Sequence, residues 1–233
     1  MKSEFVSIAS HQLRTPLTGI KWMVSLLLRG QAGKLSQKQL EFIQNIDSSN
    51  ERMIQLVNDL LNVSRIESTK AKKLERTVCD LKKMIGEVLT EQQGIAQQLG
   101  ISLVADTEAS PATVEADQEK LYQVVMNLAN NAIKYSRKGG SVHVGYSLEK
   151  GEKDATFVKV SVRDSGIGIP KLQQSQIFQK FFRAGNAIAS QATGTGLGLY
   201  YVKMVVEAHG GRIWFDSAPE KGTTFYFTLP LKT

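Results

Sequence analysis

The chain has 233 residues, a net charge of +7, and 42% hydrophobic and 22% charged residues, which is an ordinary composition for a folded protein. No run of eighteen apolar residues occurs, so the sequence predicts no membrane contact. The single cysteine, Cys79, excludes an internal disulfide and a multi-cysteine metal site, and favours a reducing cytoplasmic setting. The basic residues are spread without a block. This argues against nucleic acid. The charge itself suits either a solvated basic surface or an anionic partner such as a nucleotide or an acidic protein.

Residues 3–29 have the pattern of one amphipathic helix. At 100° per residue, its apolar stripe is centred on Ala9 and is formed by Phe5, Leu13, Pro16, Ile20, Val24 and Leu27. His11 lies about 200° from Ala9, so its side chain is predicted on the polar face. Pro16 removes one helical hydrogen bond, and a kink just after His11 is expected.

A second helix is predicted from an N-cap at Ser36 to about Ile66. Two amphipathic helices with a short connection predict an antiparallel hairpin, and two copies would complete a four-helix bundle, hence a homodimer. The alternative is that the hairpin packs against the rest of its own chain. Residues 68–80 are rich in lysine and are predicted as a linker between domains at 1–67 and 81–233.

The second half mixes helices with mostly antiparallel strands, which predicts an α+β two-layer sandwich. Helices are expected at 81–98, from an Asp117 cap to about Tyr135, and at about 195–209. Strands are expected at 101–105, 113–116, 141–148, 156–163, 212–216 and 223–229.

Asn127, Asn131 and Lys134 share one face of the predicted helix, because they lie four and three residues apart. An amide oxygen is a suitable ligand for Mg²⁺, and a lysine neutralises phosphate charge. The alternative is that these residues simply form the solvated face of the helix.

Two glycine segments follow. Asp164, Gly166 and Gly168 come directly after a predicted strand. The Asp164 carboxylate could accept a hydrogen bond from an exocyclic amine of a ligand, and the two glycines would let the backbone approach the ring of that ligand. The alternative is an ordinary turn. Residues 194–198 place three glycines before a helix, an arrangement of N–H groups that binds phosphate. It is neither a Rossmann nor a Walker sequence. Residues 184–193 are predicted as a lid anchored by the aromatic residues before them, with a surface loop as the alternative.

In this order, the segments resemble the catalytic core of bacterial sensor histidine kinases over essentially the whole chain. Residues 10–17 resemble the H box, 127–135 the N box, 164–168 the G1 box, 178–182 the F box and 194–198 the G2 box. The resemblance implies a phosphoacceptor hairpin forming a dimeric four-helix bundle, followed by an ATP-binding sandwich of the gyrase and chaperone type. It also implies a cytoplasmic enzyme that autophosphorylates His11 and passes the phosphoryl group to an aspartate of a response regulator receiver.

The same resemblance assigns roles to individual residues. It implies Asn131, with Asn127 beside it, as the Mg²⁺ ligand, Lys134 at the phosphates, Tyr135 at the adenine or ribose, and Asp164 at the adenine amino group. Gly166 and Gly168 would allow close approach of the base, and Arg183 would reach the γ-phosphate. The triphosphate would be wrapped by Gly194, Thr195, Gly196, Leu197 and Gly198.

Gln12 departs from the family pattern, which has an acid directly after the histidine. A glutamine can accept a hydrogen bond but not a proton, so slower autophosphorylation is expected. Thr15 matches the position that the family uses for dephosphorylating the receiver.

Two other functions stay open, an ATP-hydrolysing clamp and a module that only binds ATP. Asn127 argues against the clamp, because ATP-hydrolysing relatives have a glutamate at this position. The start of the chain so near His11 leads us to expect a fragment of a longer protein with a membrane anchor upstream.

Overall fold

The computed structural model describes residues 2–68, 74–107, 112–150, 156–190 and 194–231. The chain divides into two compact units. The first contains Met1–Ala71 with Thr193–Leu197, and the second contains Lys72–Ala192 with Gly198–Thr233. The division after Ala71 lies within the segment that the sequence predicts as a linker.

The first unit is a helical hairpin. Helix α1 spans Lys2–Leu28 and is continuous through Pro16, and α2 spans Gln37–Ser68. The predicted cap of α2 is confirmed: the Gln39 N–H donates to the Ser36 hydroxyl at 3.3 Å, and the Ser36 N–H donates to the Gln39 side chain at 2.9 Å. This reciprocal capping box satisfies two backbone donors where the helix begins.

The core of the hairpin is small and is formed by Leu17, Val57 and Leu61, with Ile54 packed against them. The stripe predicted for α1 is only partly buried. Val24 is buried, whereas Leu13 and Ile20 are 52% and 39% exposed. A helical wheel shows a wide apolar face but does not show which part of it meets the second helix. The predicted positions of the Phe5 and His11 side chains lie outside the described residues.

The second unit contains a five-stranded sheet in the order β2-β4-β5-β7-β6, in which β2 and β4 are parallel and the other neighbours antiparallel. Its strands are β2 (Ser102–Thr107), β4 (Ser141–Lys150), β5 (Thr156–Asp164), β6 (Ile213–Ser217) and β7 (Thr223–Pro230). Alternate residues of the central strands are buried, for example Val158, Val160 and Val162 of β5. One face of the sheet is therefore covered, as a two-layer sandwich requires.

Three helices contact the strands of this sheet: α3 (Leu81–Leu99), α4 (Gln118–Tyr135) and α6 (Gly198–Ala208). Asp80 and Asp117 cap α3 and α4, where their carboxylates accept the N–H groups of Lys83 and Lys120. The Asp117 cap is the one that the sequence predicts. A carboxylate at this position also interacts favourably with the positive end of the helix dipole.

A small second sheet pairs β1 (Arg76–Asp80) with β3 (Thr113–Asp117) in antiparallel register. The last five residues of the predicted linker thus form a strand, and Cys79 within it is buried. Its partner strand begins more than thirty residues later in the chain, and such non-local pairing leaves no periodic pattern in a short segment.

Helix α6 begins at Gly198, not near Thr195 as predicted. The chain between β5 and α6 also contains a 3₁₀ helix at Lys171–Gln176 and a five-residue helix, α5, at Gly185–Ala189. Neither was predicted, because elements this short show no apolar period. Within the described ranges, no helix is both long and apolar enough to cross a bilayer.

Candidate nucleotide site and phosphoacceptor helix

Asp164 ends β5 and is 7% exposed. Its Oδ1 accepts the N–H of Gly166 at 2.8 Å and the N–H of Thr223 at 3.1 Å. Burial raises the pKa of Asp164 to about 6, against the opposing effect of these two bonds. Since both bonds fall on Oδ1, the other carboxylate oxygen can accept a hydrogen bond from a ligand, as the sequence predicts.

Gly166 and Gly168 lie where the backbone is closely packed. A Cβ on Gly166 would collide with the Tyr135 carbonyl, and a Cβ on Gly168 would collide with the Ala218 carbonyl. Gly168 also has a φ of 62°, which favours glycine. These glycines therefore join the Asp164 loop to the end of α4 and to the loop after β6, a packing role that the sequence did not reveal. Their predicted approach to a base stays a prediction.

Asn127, Asn131 and Lys134 are half-buried along one edge of α4, whose other face is in the core. The Asn127 amide donates to the Gln123 carbonyl at 2.9 Å. This bond directs the amide oxygen toward the first residue of α6, where a Cβ on Gly198 would lie 3.0 Å from it. The absence of a side chain at Gly198 thus leaves room for the Asn127 oxygen.

The end of α4 carries a cluster of basic and aromatic groups. Burial, and secondarily the charge of Arg183, lower the pKa of Lys134 to about 8. The Lys134 amine lies 4.9 Å from the centroid of the Tyr135 ring, and the Tyr135 hydroxyl is hydrogen-bonded by Arg183. Two partly desolvated cations that repel each other would be stabilised by an anion between them, which fits the predicted phosphate contacts of Lys134 and Arg183.

Phe178 lies just before the segment that the sequence predicts as a lid. It packs edge-on against Phe215 and Phe225, with ring centroids 6.0 and 6.4 Å apart. On α5, the Asn186 amide donates to the Gly168 carbonyl at 2.8 Å, which connects the beginning of this segment to the Asp164 loop, whereas its role as a lid stays a prediction. Sequence reasoning missed Asn186, because an isolated asparagine in a small polar segment gives no signal.

The last glycine segment is divided between the two units. Gly198 begins α6 in the second unit, while Gly194, Gly196 and Leu197 belong with Thr195 to the first. There the Thr195 hydroxyl donates to the Asp59 carboxylate at 2.5 Å and accepts the Leu197 N–H at 3.3 Å. The role of this segment at a triphosphate stays a prediction.

His11 lies in the first half of α1, and the side chains from Gln12 to Pro16 are exposed. Gln12 and Thr15 are therefore open to solvent. Between them, the Arg14 guanidinium donates to the Asn58 side chain of α2 at 3.0 Å, which fixes this part of α1 against the second helix of the hairpin.

His209 is a buried structural residue just after α6. Its side chain is 2% exposed, and burial lowers its pKa. Its Nδ1–H donates to the Val205 carbonyl at 2.8 Å, and its Nε2 accepts the Asp117 N–H at 3.0 Å. An accepting Nε2 carries no proton, so His209 is neutral and connects the end of α6 to the beginning of α4.

The donors near α4 fit a magnesium ion that arrives with a triphosphate. The described residues contain no group of three or more histidine, cysteine, aspartate or glutamate side chains that could hold a metal. Asn131 and Asn127 offer only one or two amide oxygens, of which that of Asn127 is oriented by its bond to Gln123. Mg²⁺ commonly takes few protein ligands and completes its shell with phosphate oxygens and water.

The chain thus combines a helical hairpin with a two-layer sandwich that carries a candidate nucleotide site. Residues 1–69 match the His Kinase A (phospho-acceptor) domain, and residues 116–233 match the histidine kinase-, DNA gyrase B- and HSP90-like ATPase family. The chain belongs to the sensor histidine kinases and forms their catalytic core, with an ATP-binding domain.

Individual proteins agree with this assignment. The chain is 38% identical to the sensor histidine kinase WalK of Bacillus subtilis over 99% of its length, and 38% identical to the circadian input-output histidine kinase CikA of Synechococcus elongatus over all of it. It spans 37% and 30% of those two proteins. Full-length ShkA, solved in complex with AMPPNP, is 28% identical and superposes with a TM-score of 0.79, covering 99% of this chain and 46% of that one.

Proposed function

We propose that this chain transfers the γ-phosphoryl group of ATP to His11. The proposal rests on the arrangement around Asp164 and α4. Asp164 is a buried carboxylate that can accept a bond, and its loop packs against the end of α4. Lys134 lies at this end of α4, close enough to Arg183 for the two charges to repel each other. In this proposal Asp164 accepts the adenine amino group. Lys134 and Arg183 neutralise phosphate charge, and Tyr135 contacts the adenine or ribose.

The remaining nucleotide contacts are proposed from the family pattern. Gly194, Thr195, Gly196, Leu197 and Gly198 would surround the triphosphate with N–H groups. Asn131, assisted by Asn127, would hold Mg²⁺, which would neutralise charge on the phosphate oxygens. Because Asn127 cannot act as a general base toward water, the site favours transfer to a side chain over hydrolysis.

The transfer step requires a neutral imidazole. An unprotonated nitrogen of His11 attacks the γ-phosphorus, the bond to the bridging β-phosphate oxygen breaks, and ADP leaves. The other ring nitrogen then releases its proton to solvent, because Gln12 can accept a hydrogen bond but cannot take a proton. With an ordinary pKa of about 6.5, most of the histidine is neutral at neutral pH.

Gln12 is expected to limit the rate of this step. We predict that Gln12→Glu autophosphorylates faster than the parent, because a carboxylate orients the imidazole and receives its proton. The measurement is the initial rate of label incorporation from γ-labelled ATP at saturating nucleotide. Gln12→Asn, which restores neither charge nor basicity, is the matched control. A Gln12→Glu rate at or below the parent rate would contradict the role assigned to Gln12.

In the cell, the phosphoryl group would pass to an aspartate of a response regulator receiver. Thr15 is exposed one helical turn after His11, and in this proposal it orients a water molecule for dephosphorylating that receiver, which would make the protein a phosphatase as well. The chain would act as a homodimer on the cytoplasmic side of a membrane to which an upstream segment anchors it.

One experiment separates the possible functions. Incubation with γ-labelled ATP and Mg²⁺ is expected to give label on the protein that is stable to base and labile to acid. His11→Gln should abolish it, and His143→Gln, which alters a histidine paired with Asp106 in the second unit, should not. Free phosphate without labelled protein would indicate an ATP-hydrolysing clamp, and neither product would indicate a binding module. Label that persists in His11→Gln would refute the assignment of His11.

A further inference from the structure

Asn186, at the beginning of α5, is a side chain to which the proposed function assigns no role. Its amide N–H donates to the Gly168 carbonyl at 2.8 Å, although 18 residues separate the two in the chain. Gly168 is buried and belongs to the Asp164 loop, residues 164–168, on which the proposed adenine contacts depend. A residue of the predicted lid thus bonds directly to the backbone of the candidate base site.

The end of the Asp164 loop is fixed from several sides. Gly168 has a φ of 62°, and a Cβ on it would collide with the backbone of the loop after β6. The N–H of the next residue, Ile169, donates to the Ser217 hydroxyl at 2.9 Å, and its carbonyl accepts the Gln174 amide at 3.1 Å. The bond from Asn186 to Gly168 completes this set and sets the direction of the Gly168 carbonyl.

The orientation of the Asn186 amide follows from the chemistry of its partner. A carbonyl oxygen only accepts hydrogen bonds, so the amide NH₂ group faces Gly168 and the amide oxygen points away from it. There the oxygen is buried and has no hydrogen-bond partner among the described residues. A turned amide would place two oxygens against each other. The side chain therefore acts on the loop through its N–H group alone.

We propose that Asn186 is a positioning residue of the nucleotide site, which orders the Asp164 loop for the adenine by holding the Gly168 carbonyl. The inference rests on the proposed binding of adenine at this loop and adds a residue that acts through the loop. Without the donor, the buried carbonyl would turn toward water, and the peptide unit between Gly168 and Ile169 would rotate with it. A loop that must be ordered when the ligand arrives binds that ligand more weakly.

Two ligands test whether Asn186 acts on the base. Asn186→Ala is expected to weaken the binding of ATP and of adenosine by the same factor, about threefold to tenfold, because adenosine carries the base without the phosphates. Calorimetry measures the affinity for ATP, and NMR titration measures that for adenosine. A loss confined to ATP would assign Asn186 to the phosphates, and unchanged affinities would remove it from the site. Either result would overturn the inference.

Gln173→Ala is the matched control. The Gln173 side-chain oxygen accepts the N–H of Gly185 at 2.9 Å, so this variant releases the same end of α5 but leaves the bond from Asn186 to Gly168. It should bind both ligands as the parent does. An equal loss in the two variants would attribute the effect to the placement of α5 and would overturn the inference. A parent that binds neither ATP nor adenosine would refute the proposed nucleotide site itself.

A measurement on the parent sequence does not depend on the folding of a variant. If the bond from Asn186 favours adenosine binding, adenosine must favour this bond by the same factor, because such coupling is reciprocal. Saturating adenosine should therefore slow the solvent exchange of the Asn186 side-chain amide protons about threefold to tenfold, as observed by heteronuclear NMR. Unchanged exchange of these protons would overturn the inference even if Asn186→Ala does not fold.

Discussion

Asp164 is buried, and in the proposed site its carboxylate accepts a bond from an amino group. Its pKa is raised from 3.8 to about 6 by burial. The folded state therefore binds a proton more tightly than the unfolded chain does, so folding stability falls as the pH rises from about 4 to about 6 and stays lower above that range.

Asp164→Asn is accordingly predicted to stabilise the fold while abolishing ATP binding. The amide oxygen can keep the bonds from Gly166 and Thr223, and no buried charge remains, so a gain on the order of 2 kcal/mol is expected at pH 7.5, shrinking toward zero at pH 4. Urea unfolding at both pH values and titration with ATP measure the two effects. Asp216→Asn, an exposed carboxylate of β6, is the control and should leave ATP affinity unchanged. Retention of ATP binding by Asp164→Asn would remove the residue from the site.

Lys134 presents the opposite situation, a cation whose pKa is lowered to about 8 by burial and by Arg183. A bound triphosphate favours the charged amine and raises this pKa, so binding takes up a proton near pH 8.5 and ATP affinity should fall as the pH rises through 8.

Lys134→Met should lower ATP affinity about tenfold to a hundredfold, because the variant loses one charge-assisted hydrogen bond. Calorimetry at pH 8.5 in buffers of different ionisation heat measures the proton uptake, which the variant should lack. Lys138→Met, an exposed lysine just beyond α4, should behave as the parent.

His209 acts at the scale of elements, because its neutral ring links the end of α6 to the N-cap of α4. Its pKa is lowered from 6.5 by burial, with Arg76 and Lys120 nearby. As the pH falls below 6.5, the unfolded chain takes up a proton that the folded chain resists, so the stability contributed by the neutral ring is present above pH 6.5 and is lost below it.

His209→Leu should therefore lower the free energy of unfolding by about 1–3 kcal/mol at pH 7.5, because the Asp117 N–H loses its acceptor. The difference from the parent should shrink toward pH 5. Urea unfolding at several pH values measures it, and His143→Gln, which removes a half-exposed ring from β4, is the matched control at a second histidine. A parent and a His209→Leu variant with the same pH slope would show that His209 does not titrate in this range.

The long elements could be predicted from the sequence because their signals are local. The periodic residues of α4 and the caps Ser36 and Asp117 identify helices without knowledge of the rest of the chain. Strand β1 and helix α5 could not be predicted, since β1 depends on pairing with the distant β3 and α5 on the bond from Asn186 to Gly168. The same holds for the candidate site. The residue types Asp164 and Lys134 could be identified as candidates from the sequence, but the burial that shifts their pKa values depends on the fold.

At the scale of the molecule, the two units differ in the size of their hydrophobic cores. Among the described residues, the hairpin buries Leu17, Val24, Val57, Leu61 and Val63, and large apolar residues remain exposed on it. The second unit buries the faces of three helices and a five-stranded sheet. In the homodimer of the proposed function, association would add to the stability of the hairpin, which should then depend on protein concentration.

We therefore predict two thermal transitions in the whole chain. One should move to higher temperature with increasing protein concentration, because the hairpin associates. The other should respond to ATP, which stabilises the unit that binds it by about 2.7 kcal/mol at a hundredfold excess over Kd. Differential scanning calorimetry at two protein concentrations, with and without ATP and Mg²⁺, measures both. Asp164→Asn should eliminate only the response to ATP. Met53→Glu, which places a charge among the exposed apolar residues of α2, should eliminate only the dependence on protein concentration. A single transition that follows both variables would mean that the sandwich and the hairpin unfold together and that association stabilises the nucleotide domain as well.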